Sequence, residues 1–202
     1  VLVFFPLGIA YNIKSPIFTT AVGQMMLFKR EAYLKIGGHA SVSSSIVDDL
    51  SLARKIHTSG FRWRVIYIAD LISCRMYQTS QGALDGFTKN LFAAFEFRLL
   101  PFLFAFLWPG ILFLEPLLLL ILKFLGIIEL AQPEQLFICI GLSIAVWTIP
   151  YYYLRLPVWL AWVYPFTILA NGLTALRSLR ASLRGELVWK NRVIQPSHWK
   201  WY

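Results

Sequence analysis

The chain has 202 residues, of which 58% are hydrophobic and only 14% are charged. Soluble proteins average roughly half apolar and about a quarter charged residues, so this chain carries more apolar surface than a core of its size can bury. The excess lies mainly in residues 1–10 and 99–176, whereas residues 29–98 have the composition of a soluble domain. The composition excludes an ordinary soluble protein and predicts an integral membrane protein.

The formal net charge is +9, from 19 Lys and Arg against 10 Asp and Glu. Many of the basic residues flank apolar runs, where anionic headgroups and the positive-inside rule account for them. No aromatic–basic motif of a known nucleic-acid-binding module occurs in the sequence. Nucleic acid is therefore not an expected partner, and the membrane is.

The first 20 residues are apolar and aromatic but are interrupted by Pro6 and Pro16. This pattern predicts an interfacial segment rather than a membrane crossing. Because Val1 is not a Met and stands within an apolar run, we expect it to be an internal position of a longer protein.

A mixed α/β domain is predicted for the following residues. Residues 24–28 have the pattern of a strand, and a short helix should begin at Arg30 and end at the Gly37-Gly38 pair. Residues 61–77 alternate and become rich in β-branched side chains, which predicts one or two further strands. Residues 81–100 are amphipathic and aromatic, as in a helix that lies on the bilayer surface.

Between these segments, Asp48 and Asp49 mark the start of a second helix, where carboxylates accept free backbone N–H groups. Its predicted apolar stripe consists of Leu50, Ala53 and Ile56, and Gly60 marks its predicted end. The two acids can be simple helix caps. They can also provide a carboxylate that remains ionised and acts as a general base towards an alcohol.

Three apolar runs follow, over residues 101–128, 135–154 and 157–176, each long enough to cross about 30 Å of hydrocarbon. The tail from Arg177 to Lys200 carries a strong basic bias, which predicts that the C-terminus is cytoplasmic. A cytoplasmic α/β domain followed by three complete crossings would place this tail outside. We therefore expect that run 101–128, which contains Pro109-Gly110 and Glu115-Pro116, is a broken or re-entrant segment.

One ordered set of motifs resembles family 2 glycosyltransferases. The run GQMMLFKREAYLKIGGHASVSSSIVDDLSLARKIHTSG contains, in order, Phe-Lys-Arg-Glu, Gly-Gly and Asp-Asp-x-x-Leu, similar to the second half of that family's catalytic domain. The segments CRMYQTSQGALDGFTKN and GELVWKNRVI resemble its bacterial carotenoid- and hopanoid-associated membrane branch. The resemblance implies a partial α/β domain of the GT-A type (nucleotide-diphospho-sugar transferase) over residues 1–98. Transmembrane helices, two or three in number, would occupy residues 99–178, and a basic cytoplasmic tail residues 179–202.

The resemblance also implies roles for individual residues. Asp49 matches the catalytic base, and Asp48 matches the acid that supports and orients the acceptor site. Gly37, Gly38 and His39 match the loop on the acceptor side, where small residues let a sugar or a lipid headgroup approach the backbone.

Three further residues are candidates for substrate binding. Gln24 precedes the acceptor loop and is expected to line the site. Relatives carry Gln-x-x-Arg-Trp on the interfacial helix as a diphosphate ligand, whereas this chain has Gly-Phe-Thr-Lys-Asn over residues 86–90. Lys89 or Arg75 can supply the missing positive charge, although contact with lipid headgroups explains either residue equally well.

The expected activity is inverting transfer of a sugar from a nucleotide-sugar donor to a lipid acceptor. The family grips Mg²⁺ or Mn²⁺ through an Asp-x-Asp motif in its N-terminal half, and no such motif occurs here. We therefore expect no metal ligands in this chain and no turnover by the chain alone. The expected location is a bacterial plasma membrane, with the catalytic domain in the cytoplasm. The alternatives are an inactive membrane-anchoring fragment with a scaffolding role, or a small transporter.

Overall fold

A computed structural model describes residues 8, 11–13, 15–66, 68, 71–129, 132–189, 192–193 and 200–201. The predicted interfacial segment 1–20 and the basic tail are therefore described only in part. The chain divides into two compact units, Val1–Ala94 and Phe95–Tyr202, which we call the first and second units.

The first unit contains three α-helices in its described residues: α1 (Arg30–Lys35), α2 (Asp48–Thr58) and α3 (Ser80–Ala94). Short 3₁₀ helices occupy Pro16–Phe18 and His39–Val42. The start of α1 and the start of α2 confirm the helix signals at Arg30 and at the two aspartates. After α2, Gly60 has a φ of 83°, a left-handed geometry that suits glycine and ends the helix.

The predicted α/β fold is wrong. None of the described residues of the first unit forms a strand, and the chain has a turn at Gly23-Gln24 within the expected first strand. Strands exist only where a neighbour accepts and donates the backbone hydrogen bonds, and segments 24–28 and 61–66 have no such neighbour among the described residues. The strands that are described are two residues long: β1 (Val188–Trp189) and β2 (Arg192–Val193), which pair antiparallel in the tail.

Side-chain burial against α2 holds the first unit together instead. Leu52 is fully buried, and the chain segments before and after α2 pack against the same core through Met26, Phe28 and Phe61. The buried residues of this core are Ala32, Ile36, Val42, Leu52 and Ile56. The stripe of α2 was predicted correctly at Ala53 and Ile56, whereas Leu52 rather than Leu50 completes it.

The second unit contains α4 (Leu99–Phe124), α5 (Glu134–Tyr153), a 3₁₀ helix (Val158–Val163) and α6 (Tyr164–Leu183). Three helical stretches of the described chain are long and apolar enough to cross a membrane: Leu99–Phe124, Glu134–Tyr153 and Val158–Leu183. Helix α4 passes through Pro109 and Pro116 as one continuous helix, so the expected break of this run does not occur.

An aromatic contact shows how the three helices are arranged. The Phe113 ring in the middle of α4 lies edge-on to Trp147 of α5 and to Tyr164, the first residue of α6. The Tyr164 hydroxyl donates a hydrogen bond of 3.2 Å to the carbonyl oxygen of Phe113. Helix α6 therefore begins halfway along α4 and not at one of its ends.

The first turn of α4 contacts the tail. Leu99 N–H donates to the Lys200 carbonyl at 2.8 Å, and Lys200 N–H donates to the Phe97 carbonyl at 2.9 Å. The other buried residue of α4, Phe102, lies close to this turn, and α6 has further buried side chains at Ala175 and Ser178. Lys200 is therefore held at the end of α4 that begins at Leu99.

This arrangement predicts the accessibility of introduced cysteines in sealed vesicles. With Cys74 and Cys139 replaced by Ser, Glu96→Cys and Arg184→Cys should react with a membrane-impermeant maleimide from the same side. Glu129→Cys, in the loop between α4 and α5, should react only from the opposite side. Labelling of Glu96→Cys and Arg184→Cys from opposite sides would instead require three complete crossings.

A second prediction concerns the loop before α2. Gly38 has a φ of 55°, and a Cβ placed there would lie 2.7 Å from the Tyr33 ring. With a ψ of −154°, Gly38 lies in a backbone region that is essentially confined to glycine. Gly38→Ala therefore combines backbone strain of about 1–3 kcal/mol with overpacking of about 1–3 kcal/mol. Gly60→Ala serves as the control, because its φ is 83° and a Cβ there meets open space. Thermal unfolding in detergent should show a clearly larger loss of Tm for Gly38→Ala, and equal losses would exclude the steric contribution of Tyr33.

Candidate functional site

The two aspartates lie in the first turn of α2 and bind its free backbone N–H groups. Asp48 Oδ1 accepts the N–H of Asp49 at 3.0 Å, and Asp49 Oδ1 accepts the N–H of Leu50 at 2.7 Å. The residue before the helix, Val47, provides no side-chain cap. Asp48 is exposed, whereas Asp49 is half-buried. Both acids therefore stabilise the helix start, and only Asp49 lies within a partly enclosed environment.

The second carboxylate oxygen of Asp49 faces a glycine. A Cβ placed on Gly23 would lie 2.7 Å from Asp49 Oδ2, closer than a real Cβ atom approaches. Among the described residues, Oδ2 accepts no hydrogen bond. The Asp49 side chain thus occupies the space that a side chain at position 23 would need, and its Oδ2 still has its lone pairs available. In the sequence, the only sign of this contact is the glycine in the run AVGQMM.

Gln24 links this carboxylate to the segment that contains Arg75. Its side-chain Nε2 lies 3.0 Å from the sulfur of Met76, so the Gly23-Gln24 turn contacts the Arg75-Met76 dipeptide. The Arg75 side chain is exposed and has no described partner. Asp49 therefore packs against the residue before Gln24, and Gln24 contacts the residue after Arg75. No described hydrogen bond joins Asp49 directly to Gln24 or to Arg75.

The predicted acceptor loop forms a separate cluster. The Tyr33 hydroxyl lies 2.7 Å from His39 Nδ1 and accepts the His39 backbone N–H at 3.1 Å. The rings of Phe28 and Tyr33 pack around the imidazole. Glycine at position 38 is required because the Tyr33 ring occupies the space of a side chain there.

This loop is tied to α2 but not to the aspartates. Lys55 lies one turn of α2 beyond the buried Leu52. Its Nζ donates a hydrogen bond of 2.7 Å to the carbonyl oxygen of Ser41. No described hydrogen bond or ring contact joins residues 37–39 to Asp48 or Asp49. The structure ties the loop of Gly37, Gly38 and His39 to α2 through Ser41 but shows no hydrogen bond or ring contact between these residues and the candidate base.

The two candidate cations differ in exposure. Lys89 lies on the inward face of α3 with only 8% of its surface exposed, and it interacts with neighbouring groups. Tyr77, two residues after Arg75, packs against Gly86 of the same helix α3. The contact is so close that a Cβ on Gly86 would overlap the Tyr77 ring. An exposed guanidinium is immediately available to an anionic ligand, whereas a buried ammonium first has to be uncovered.

The resemblance places the metal-binding Asp-x-Asp motif in the family's N-terminal half, so no metal ligand is expected in this chain. Among the described residues, no group of three or more His, Cys, Asp or Glu side chains converges.

Comparisons with protein-family models, with curated proteins and with solved structures give no match to this chain.

Proposed function

We propose that the chain is part of a membrane-bound glycosyltransferase, which moves a sugar from a nucleotide-sugar donor to a lipid acceptor with inversion at the anomeric carbon. The observation that carries the proposal is the geometry of Asp49. One oxygen of its carboxylate is fixed by a helix N–H group, and the other packs against Gly23 without a hydrogen bond from any described residue. A positioned and ionised carboxylate is what an alcohol needs in order to become a nucleophile.

The proposed reaction uses Asp49, Arg75 and Gln24 in distinct roles. The acceptor hydroxyl gives its proton to Asp49 Oδ2, and its oxygen attacks the anomeric carbon. The bond between that carbon and the diphosphate oxygen breaks, and the electron pair leaves with the diphosphate. Arg75 stabilises the leaving group through charge-assisted hydrogen bonds, and Gln24 binds polar groups of the substrate.

The lipid nature of the acceptor is supported by the second unit, which contains three helical stretches long and apolar enough to cross a membrane. A bacterial plasma membrane is the proposed location, with the tail and residues 29–98 in the cytoplasm. The basic bias of residues 177–200 supports this orientation, because loops rich in Lys and Arg are retained in the cytoplasm.

Substitution of Asp49 distinguishes a base from a cap. Asn caps a helix about as well as Asp but cannot accept the acceptor's proton. Asp49→Asn in the complete gene product should keep its Tm and its membrane insertion. Its turnover should fall by about 10²–10⁴-fold, the contribution of a positioned general base.

Asp48→Asn is the matched control, because Asp48 makes the same kind of contact to the next backbone N–H but is exposed. It should lose less activity than Asp49→Asn. Near-normal turnover of Asp49→Asn would show that the pair only caps the helix and would favour the membrane-anchoring alternative.

A further prediction separates Arg75 from Lys89. Arg75→Ala should reduce turnover by an amount equivalent to about 2–4 kcal/mol, by analogy with the loss of one oxyanion donor. Lys89→Met retains most of the aliphatic stem of a buried side chain and should leave turnover nearly unchanged. Arg30→Ala, at another exposed cation, controls for general loss of positive charge. A large loss in Lys89→Met together with normal turnover in Arg75→Ala would reverse the two assignments.

A further inference from the structure

Residues 61–66 have the exposure pattern of a strand without being part of a sheet. Phe61, Trp63 and Val65 are half-buried, whereas the residues between them, Arg62, Arg64 and Ile66, are exposed. The inward face is fixed by packing: Phe61 contacts the core of the first unit, and Trp63 packs against Tyr11 and His57. A period of two in exposure is the pattern of an extended chain with one face on a core.

One edge of this segment is already occupied. The Tyr11 hydroxyl accepts the backbone N–H of Val65 at 3.1 Å and donates to its carbonyl oxygen at 3.0 Å. In an extended chain, neighbouring residues direct their backbone groups to opposite edges. The N–H and C=O groups of Arg62, Arg64 and Ile66 therefore point to the other edge, where no described residue binds them.

A cavity of about 650 Å³ borders this segment, while Tyr11 does not line it. Its second wall is formed by residues 24–28, whose backbone groups also make no described backbone hydrogen bond. Side-chain exposure alternates along this wall as well. Met25 and Leu27 are exposed, whereas Met26 and Phe28 are half-buried. The buried residues Ala53 and Ile56 of α2 also line the cavity. Further lining residues are Thr20, Ala21, Val22, Ile68, Ile72 and Cys74.

We propose that this cavity is a binding slot for an extended peptide segment, which adds as a strand to residues 61–66. Backbone N–H and C=O groups that alternate along an open edge are complementary to another polypeptide strand, and such strand addition is an established mode of peptide recognition. The hydrocarbon chain of a lipid would fill the cavity but would leave these groups without partners.

The side chains specify the chemistry of the bound segment. Its inward residues face Ala53 and Ile56 and must be apolar. Its outward residues lie beside Arg62, whereas the Arg64 guanidinium lies 4.6 Å from the centre of the Tyr11 ring, at the occupied edge. Cross-strand pairs of opposite charge are favourable whereas like charges are not, so the expected ligand alternates apolar and acidic residues. Neither aspartate lines the cavity, whereas Gln24, which binds substrate in the proposed sugar transfer, does.

The test uses the whole chain in phosphatidylcholine nanodiscs and a fluorescein-labelled six-residue peptide of alternating valine and glutamate. Binding is measured by fluorescence anisotropy. Methylation of alternate backbone nitrogens should weaken binding at least about tenfold, because each lost backbone hydrogen bond leaves an unpaired group. A peptide with lysine in place of glutamate should bind at least about tenfold more weakly than the original.

Charge reversal in the protein provides the matched comparison. Arg62→Glu should weaken binding of the glutamate peptide at least about tenfold and strengthen binding of the lysine peptide. Arg30→Glu, outside the cavity, should change the binding of neither peptide. Equal binding of the methylated and unmethylated peptides would overturn the proposal. So would the absence of any binding, or displacement of the peptide by phosphatidylglycerol with no effect of methylation, which would identify the cavity as a lipid site.

Discussion

The first unit depends on the burial of one face of α2. Leu52 is fully buried, and Ala53 and Ile56 extend the same apolar contact along the helix. Asp49 lies three residues before Leu52, so the packing of that leucine fixes the place of the carboxylate opposite Gly23. Ala53 and Ile56 also line the peptide slot. A small rotation of α2 would therefore move the candidate base and reshape the cavity together.

The second unit relies on an aromatic contact in the middle of its longest helix. Proline lacks a backbone N–H, so Pro116 leaves the carbonyl oxygen of Leu112 without its usual helical donor. Transmembrane helices tolerate this where neighbouring groups supply hydrogen bonds. The Tyr164 hydroxyl binds the carbonyl of the next residue, Phe113, and not that of Leu112. Helix α4 nevertheless remains continuous through both of its prolines.

The sequence predicted what depends on local signals and missed what depends on distant partners. Helix starts at Arg30 and Asp48 and the apolar runs of the second unit follow from capping, charge and composition. The period-two pattern of residues 61–66 correctly indicates which side chains face inward. Whether such a segment becomes a strand depends on a partner that no local pattern contains, and the fold prediction failed there. The approach of Gly23 to Asp49 joins residues 26 positions apart and was equally invisible.

The two oxygens of the Asp49 carboxylate are engaged differently, which allows one side chain to act both as a cap and as the proposed base. The N–H group of Leu50 binds only Oδ1. The other oxygen is held in a fixed direction by the same bond. Capping and proton acceptance are therefore compatible roles of one side chain, and capping improves the base by orienting it. A residue with a single side-chain oxygen, such as Ser, could cap this helix but would have no second oxygen to react.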